Sequence, residues 1–305
     1  MRRLLSLVAV LCFSSLSVAA ESNDNGPALK LASVSALAMD AESGEVLYQK
    51  HSNIRMPIAS LTKVMTAMVV LDAKQSLREK IRFQERDRKS INHYFSRIRL
   101  GSEISRGEAM RLALMSSENL AAAALANNYP GGEEKFVEAM NSKAAALGMK
   151  NTRFVDSSGL SPRNVSTAAD LSRMVAAAAK YPEIHEYSTT PLHTAHFSRP
   201  GYKLAYVNTN PLLRYERWQA DVSKTGYLDL AGRCLIMQTE IDGRAVVLVM
   251  LDSYGKRSPI GDAGRIKRWI ETGETGRVSA VASNYSRNKL MGYMAGNATA
   301  QLSVN

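Results

Sequence analysis

Strand-like segments lie at the two ends of this chain, and helix-like segments lie between them. SVSALAM (residues 33–39) alternates like a strand, and VLYQK (46–50) returns after the turn DAESGE. Four more strand-like segments lie between residues 202 and 253. Because strands must pair to bury an apolar face, we predict one antiparallel sheet built from both ends of the chain and flanked by helices. This is an α/β arrangement of the α+β kind.

The middle of the chain is helical in period and composition. SRGEAMRLALM (105–115) and STAADLSRMVAAAAKY (166–181) each begin with a hydroxyl residue and carry an acidic residue three positions after a candidate cap. We therefore predict an all-helical subdomain, about residues 76–194, inserted into the sheet subdomain, about 30–75 and 195–276. The tail, 277–305, shows no clear period, and we expect it to be loosely ordered.

The first twenty residues, MRRLLSLVAVLCFSSLSVAA, read as a secretory signal peptide. Their apolar run is short for a membrane span, and polar ESNDNG follows at once, although an uncleaved anchor is the alternative. We expect an exported mature chain without a transmembrane anchor. Cys12 leaves with the signal, so Cys234 stands alone and no internal disulfide is expected.

The formal net charge is +11. Such a surface favours anionic partners: nucleic acid, a membrane surface or a cell-wall polymer. Export argues against nucleic acid. A solvated basic surface with no specific role is the alternative.

A serine and a lysine lie near the start of an apolar helix-like stretch, PIASLTKVMTAMVVLD (57–72). Ser60 and Lys63 are three residues apart, so on a helix the lysine amine can reach the serine hydroxyl. A serine becomes a nucleophile when a base takes its proton, and burial favours the neutral amine that serves as that base. The alternative is a helix-capping Ser60 with Lys63 reaching solvent.

Two further motifs follow along the chain. In SSEN, Ser117 and Asn119 open an alanine-rich helix, where they could donate to a substrate and shuttle a proton, or only cap the helix. In KTG, Lys224 and Thr225 could bind a carboxylate on a strand, and Gly226 leaves room for a ligand backbone. An ordinary strand end is the alternative for KTG.

Together, S-x-x-K, S-x-N and K-T-G in this order resemble the penicillin-binding protein and serine β-lactamase superfamily. RMPIASLTK, LALMSSEN, NTRFVDSSGL, NVSTAADL, KTGY, AGRCLIMQT and RWIETG are similar to the exported D-alanyl-D-alanine endopeptidases among low-molecular-mass penicillin-binding proteins. The similarity covers about residues 33–275. It implies a penicillin-binding protein/β-lactamase-like transpeptidase fold around a five-stranded antiparallel sheet.

The resemblance also implies roles for these residues. Ser60 would be the acylated nucleophile, Lys63 its general base and Ser117 part of the proton network. Lys224 would lower the pKa of Lys63 with its positive charge.

Asn119, Thr225 and Gly226 would bind substrate together with Lys224. The backbone N–H groups of Ser60 and Tyr227 would form the oxyanion hole. The resemblance implies neither a metal nor another cofactor.

The implied reaction is attack on the bond after D-Ala in peptidoglycan peptide stems, in the periplasm, with β-lactams as covalent inhibitors. The chain ends about 30 residues after RWIETG without an apolar stripe, which favours an endopeptidase that cuts D-Ala to diaminopimelate cross-links. Loose association with the membrane surface stays open.

Several alternatives remain at this point. A D-alanyl-D-alanine carboxypeptidase would carry the same motifs. A serine β-lactamase would need a dedicated glutamate, for which we find no motif, and a non-catalytic cell-wall binding module would not need the intact set. A zinc hydrolase is disfavoured because His193 and His196 lie outside any HExxH pattern.

Overall fold

A computed structural model describes residues 29–215 and 217–302 of the chain. The predicted signal peptide lies outside these residues. The strands, in chain order, are β1 Ser33–Asp40, β2 Val46–Lys50, β3 Met56–Pro57, β4 Lys80–Arg82, β5 Glu103–Ser105, β6 Val165–Ser166, β7 Leu192–Phe197, β8 Tyr202–Val207, β9 Val222–Leu228, β10 Gly232–Ile241 and β11 Arg244–Ser253.

The helices, in chain order, are α1 Thr62–Asp72, α2 Glu85–Ser90, α3 Arg106–Met115, α4 Asn119–Asn127, α5 Gly132–Ala146, α6 Ala168–Ala178, α7 Pro182–Thr189, α8 Pro211–Arg214, α9 Ser258–Thr272 and α10 Ala280–Leu302. The predicted caps of α3 and α6 are both formed. Ser105 accepts from the Glu108 amide at 3.2 Å, and Thr167 accepts from the Asp170 amide at 3.0 Å.

The central sheet has five strands in the order β2-β1-β11-β10-β9, and every neighbouring pair is antiparallel. The N-terminal strand β1 pairs with the last strand β11, with Ser33 opposite Ser253 and Asp40 opposite Val246. The prediction of one antiparallel sheet built from both ends of the chain is confirmed. The order leaves β9, the strand that carries the KTG motif, at an edge of the sheet.

Strand β11 shows how this sheet is buried on both faces. Alternate residues enter two different apolar clusters: Val247 and Val249 pack in one, and Val246 and Leu248 pack in the other. This follows from the two-residue repeat of a strand. The first cluster contains α1 and α6, and the second contains apolar residues of α9. Burial on both faces explains the nearly continuous apolar run of β11.

The inserted region contains short strands as well as helices. Strands β4 and β5 pair with each other, and β3 pairs with β6. Strand β8 was predicted, but it pairs with β7 in a separate hairpin and does not join the central sheet. The β7 sequence, LHTAHF, is not among the predicted strands, and its pairing with β8 is not visible in a single segment.

The tail differs most from its expectation of loose order. Residues Ala280–Leu302 form α10, and this helix packs on the sheet through polar side chains. The hydroxyls of Tyr285 and Tyr293 donate to the buried carboxylate of Asp252 at 2.6 and 2.7 Å. Ser286 accepts from the amine of Lys50 at 3.1 Å. Much of the contact is made by hydroxyls beside a few apolar residues such as Ala282 and Leu290, so the sequence shows no clear apolar period and the pattern missed the helix.

No helix among the described residues is long and apolar enough to cross a membrane.

The phenol of Tyr293 should stabilise the fold measurably. Tyr293→Phe removes one donor from Asp252, whose carboxylate is fully buried, and we expect a loss of about 2 kcal/mol in the free energy of unfolding. Urea denaturation followed by circular dichroism measures it. Tyr254→Phe is the matched control because Tyr254 is 55% exposed, and it should change stability by less than about 0.5 kcal/mol. Equal stability of both variants would contradict the role of α10.

Candidate active site

Ser60 lies in a tight turn that leads into the buried helix α1. Residues Ala59–Leu61 form one turn of 3₁₀ helix directly before Thr62. Ala59 has φ +48°, in the left-handed region that non-glycine residues rarely adopt, so the chain turns sharply just before the serine. The Ser60 side chain makes no capping hydrogen bond, and it is partly exposed to a cleft. The capping alternative is therefore wrong.

Lys63 points into the protein and is fully buried. Its amine contacts three acceptors: Ser60 Oγ at 2.9 Å, Asn119 Oδ1 at 2.7 Å and the Ser158 carbonyl oxygen at 2.5 Å. The alternative in which Lys63 reaches solvent is wrong. An ammonium can donate to all three, whereas a neutral amine can donate to two and accept from the third. Ser60, whose hydroxyl carries a proton, is the partner from which it can accept.

Burial is the main cause of the unusual acidity of Lys63. It lowers the pKa of the amine to about 7, while the negative charges of Asp156 and Glu118 act in the opposite direction and favour the ammonium. Near neutral pH the amine is therefore present in both protonation states, which is the condition for an efficient general base.

The S-x-N motif lies where α4 begins. Ser117 has φ +61° and precedes the helix, while Asn119 is its first residue. The cap is neither of these residues: the carboxylate of Glu118 accepts from the Leu120 amide at 3.2 Å. Ser117 and Asn119 are thus free of the capping role, and Asn119 is used to contact Lys63.

Strand β9 brings the K-T-G motif to the same site. Lys224 is buried, and its amine donates to the Thr225 carbonyl oxygen at 2.9 Å. Burial and the charge of Lys63 lower the pKa of Lys224 well below its ordinary value. Repulsion between the two ammonium groups acts on both amines, and at Lys63 burial is the largest cause of the lowered pKa.

Gly226 allows β9 to lie directly against the turn Ala59–Leu61, which holds the predicted nucleophile Ser60 and is called the nucleophile turn below. A Cβ atom at this position would lie 3.1 Å from the Ile58 carbonyl oxygen and 3.2 Å from the Ser60 nitrogen. A larger side chain would push the strand away from Ser60. Tyr227 follows on the strand, and its ring is half exposed at the cleft.

The loop 156–161, which belongs to none of the three motifs, closes the other side of Lys63. Asp156 accepts backbone hydrogen bonds from Ser158 at 2.7 Å, Gly159 at 2.5 Å and Ser161 at 2.8 Å. This single carboxylate fixes the loop that presents the Ser158 carbonyl to Lys63. The signal in the sequence was the D-S-S-G pattern, because Asp accepting from amides two and three residues later is typical of a tight turn.

Gly159 also packs against the nucleophile turn. Its φ is +81°, and a Cβ atom there would lie 2.0 Å from the Ala59 carbonyl oxygen. Glycine is therefore required for both backbone conformation and space. The turn before Ser60 is held between Gly159 on one side and Gly226 on the other.

A cleft of about 560 Å³ opens over these groups. Its lining includes every partly exposed residue of the three motifs, namely Ser60, Ser117, Asn119 and Thr225, together with Gly226 and Tyr227. Lys63 and Lys224 are buried beside it. The structure thus brings together all the residues predicted for the site.

The described residues contain no group of three or more His, Cys, Asp and Glu side chains arranged to hold a metal ion. His193 and His196 lie three apart on β7, so they face opposite sides of the strand. The imidazole of His193 contacts the carboxylate of Glu108. Cys234 is buried, and burial raises the pKa of its thiol to about 12, which makes it inert.

Comparison with known proteins agrees with this geometry. The family model described as D-alanyl-D-alanine carboxypeptidase matches residues 19–255. The chain belongs to this family. It is therefore a serine hydrolase of the DD-peptidase type, a low-molecular-mass penicillin-binding protein that acts on peptidoglycan.

Individual relatives are similar over most of their length. A D-alanyl-D-alanine endopeptidase of Pseudomonas aeruginosa is 48% identical over 290 residues, 93% of each chain. One from Escherichia coli is 46% identical over 272 residues, 89% of this chain and 88% of the relative. Among solved structures, ampicillin-bound penicillin-binding protein D2 of Listeria monocytogenes has a TM-score of 0.66 and 30% identity, over 81% of this chain and 99% of that one.

Adding a methyl group at Gly159 should displace the nucleophile turn. For Gly159→Ala we expect the reaction of Ser60 with a β-lactam probe to slow about a hundredfold, because the new Cβ would overlap the Ala59 carbonyl. The rate is measured from the mass of the intact protein over time.

Gly148→Ala is the matched control. Gly148 also has a positive φ, +70°, but a Cβ atom there meets nothing within 4 Å. Each alanine should cost about 1–2 kcal/mol of stability from backbone strain, and Gly159→Ala should cost more because its Cβ also overlaps the Ala59 carbonyl. Only Gly159→Ala should lose reactivity, so equal reaction rates in the two folded variants would refute the packing role.

Proposed function

We propose that this protein is an exported D-alanyl-D-alanine endopeptidase that hydrolyses D-Ala to diaminopimelate cross-links in peptidoglycan through an acyl-enzyme on Ser60. The observation that carries the proposal is the buried amine of Lys63, 2.9 Å from Ser60 Oγ, with a pKa lowered to about 7. The names and coverage of the two endopeptidase relatives support the choice of the cross-linking bond.

In acylation, neutral Lys63 accepts the proton of Ser60 as Oγ attacks the carbonyl carbon of D-Ala. The Asn119 oxygen and the Ser158 carbonyl hold the amine in place by accepting its two N–H groups. The negative oxygen that forms on the substrate is stabilised by the backbone N–H groups of Ser60 and Tyr227.

The tetrahedral intermediate then collapses. The C–N bond breaks, the diaminopimelate amine leaves with a proton supplied through Lys63 and Ser117, and D-Ala remains esterified to Ser60. Water attacks this ester and gives a proton to the Lys63 amine. Lys63 then returns the proton to Ser60 Oγ as D-Ala leaves with a free carboxylate, and Ser60 is regenerated.

Thr225 and Lys224 would hold the leaving residue. The Thr225 hydroxyl lies at the cleft, where it can bind the carboxylate beside the scissile amide. Lys224 is buried close enough to Lys63 for their charges to interact, and in its protonated form it would add a positive potential at the same point. Asn119 and Gly226 complete the binding surface for the substrate backbone.

β-Lactams should acylate the same serine. Their amide occupies the place of the scissile bond, but after ring opening the leaving amine stays tethered and can obstruct water. The ampicillin-bound relative supports β-lactam binding by this fold.

The products formed from cross-linked substrate test the proposed activity. We expect the protein to convert purified cross-linked muropeptide dimers to monomers, and Ser60→Ala to lose both this activity and penicillin labelling because the nucleophile is gone. Mass spectrometry separates the outcomes. Loss of a terminal D-Ala alone would mean a carboxypeptidase, rapid turnover of penicillin would mean a β-lactamase, and labelled Ser60→Ala would overturn the assignment of the nucleophile.

The pH dependence of acylation should report Lys63. Its folded-state pKa is lowered, so the neutral amine is scarce below about pH 7 and predominates above it. The acylation rate with a β-lactam should therefore rise with pH through about 7 and then level off. Stopped-flow kinetics measures this, with circular dichroism at each pH as a control for folding. A rate that stays flat or falls from about pH 5 to 8 would exclude Lys63 as the base.

A further inference from the structure

The cleft that contains Ser60 continues past edge strand β9 to the other face of the sheet. Gly226 faces the nucleophile turn, and because successive strand residues point to opposite faces, Thr225 and Tyr227 face away from it. Leu235 pairs with Thr225 and lies on that second face. The cleft there has an apolar floor made by Leu235, Pro211, Pro259 and Ile260.

Three cationic side chains line this second part of the cleft: Arg214, Arg233 and Lys256. In the part of the chain that the structure describes, none of them forms an ion pair. Asp229 is the only carboxylate among the described residues that line the cleft, and it accepts from the Tyr227 hydroxyl at 2.7 Å. The second part of the cleft therefore carries an excess of positive charge.

Arg214 is held in place without an acceptor. Its guanidinium lies over the Tyr215 ring, 4.7 Å from the centroid, and its Nε is buried with no hydrogen-bond partner among the described residues. An unsatisfied buried donor destabilises a protein, so such a group calls for an explanation. Arg233 is similarly positioned, 3.6 Å over the Tyr227 ring. Two arginines fixed by stacking present their remaining donors to the cleft, and the planar guanidinium matches a carboxylate.

We propose that Arg214, assisted by Arg233, forms a carboxylate-binding subsite for the stem peptide that leaves when the cross-link is cut. This inference rests on the proposed function, which supplies the substrate.

The order of residues along the cleft sets the direction of the substrate. The Thr225 hydroxyl donates its proton to Thr209 Oγ1 at 2.7 Å, and it would turn that proton to the carboxylate of the leaving residue when substrate binds. Thr209 directly precedes Asn210, the cap of the short helix α8 that ends at Arg214. Thr225, Thr209 and Arg214 all line the cleft that contains Ser60, so the cleft extends from Thr225 to Arg214. A leaving residue that is a single D-Ala ends at Thr225, whereas a leaving stem continues and brings further carboxylates to Arg214.

Discrimination follows from this difference in length. A linear stem that loses one terminal D-Ala makes no contact with Arg214 and gains no binding energy there. A cross-linked stem reaches Arg214 and binds more tightly. Lys256 is exposed, and as a point charge it can attract anions over a longer range but lacks the planar fork needed to select among them. Arg214 is therefore proposed as a residue that determines specificity for the cross-linked substrate.

Binding to a protein that cannot turn over tests the subsite directly. In the Ser60→Ala background, the Kd of a cross-linked muropeptide dimer is measured by calorimetry, alongside the same dimer with the leaving stem's carboxylates amidated beyond the residue at the scissile bond. Adding Arg214→Ala should weaken binding of the carboxylate form on the order of tenfold to a hundredfold. The amidated form should bind both proteins equally, and Arg214→Lys should lose an intermediate amount because it keeps the charge without the planar fork.

Arg217→Ala is the matched control. Arg217 is exposed, lies over the same Tyr215 ring at 5.9 Å and does not line the cleft. It should leave the Kd of both dimers unchanged, and thermal unfolding checks that each variant is folded. The subsite is refuted if Arg214→Ala weakens both dimers equally or neither, or if Arg217→Ala has the same effect.

Hydrolysis of the cross-linked dimer by the unmodified enzyme is measured separately, to distinguish failure of the subsite from failure of the proposed function. If the enzyme binds the dimer in a carboxylate-dependent way but does not cut it, the endopeptidase function fails and the subsite stands. If it cuts the dimer but Arg214→Ala binds normally, the function stands and the subsite fails.

Discussion

The contact between the buried amine of Lys63 and the hydroxyl of Ser60 is the interaction on which the rest of this structure depends. A charged amine in an apolar core is unstable unless its donors are satisfied, and the protein supplies acceptors from three separate places in the chain. The nucleophile turn, the start of α4 and the 156–161 loop must therefore converge on one atom. Burial lowers the pKa of the amine, and the three acceptors prevent that burial from unfolding the site.

This convergence explains where the backbone is unusual. Ala59 and Ser117 have positive φ. Ala59 immediately precedes Ser60, which contacts the Lys63 amine, and Ser117 immediately precedes Glu118, the cap of α4. Gly159 and Gly226 are small because the two segments that confine the Ser60 turn approach its backbone to within van der Waals contact. Strain of this kind persists only where the surrounding structure enforces it, and such positions cluster at functional sites.

The sequence predicted those features that depend on local pattern. The sheet strands follow from their apolar alternation, and the caps of α3 and α6 follow from a hydroxyl and an acid at the right spacing. The three motifs identified Ser60, Ser117, Asn119 and Thr225, which the structure places along one cleft. What escaped prediction depends on contacts between distant segments or on polar packing. Asp156 acts through a loop whose importance appears only when Ser158 meets Lys63, and α10 binds the sheet through tyrosine hydroxyls that no hydrophobic pattern reveals. How completely the Lys63 and Lys224 amines are buried, which is the largest cause of both lowered pKa values, also depends on such distant contacts.

The edge position of β9 separates two uses of positive charge in the same cleft. On the side facing Ser60, burial drives Lys63 and Lys224 toward their neutral forms, which suits proton transfer. On the other side, Arg214 and Arg233 keep their charge, because a guanidinium does not deprotonate in proteins, and this suits binding of anions. A lysine in place of Arg214 would lose the planar fork, and an arginine in place of Lys63 could not act as a base. The kind of cation at each position thus matches its proposed use: lysines for proton transfer beside Ser60 and arginines for anion binding beyond β9.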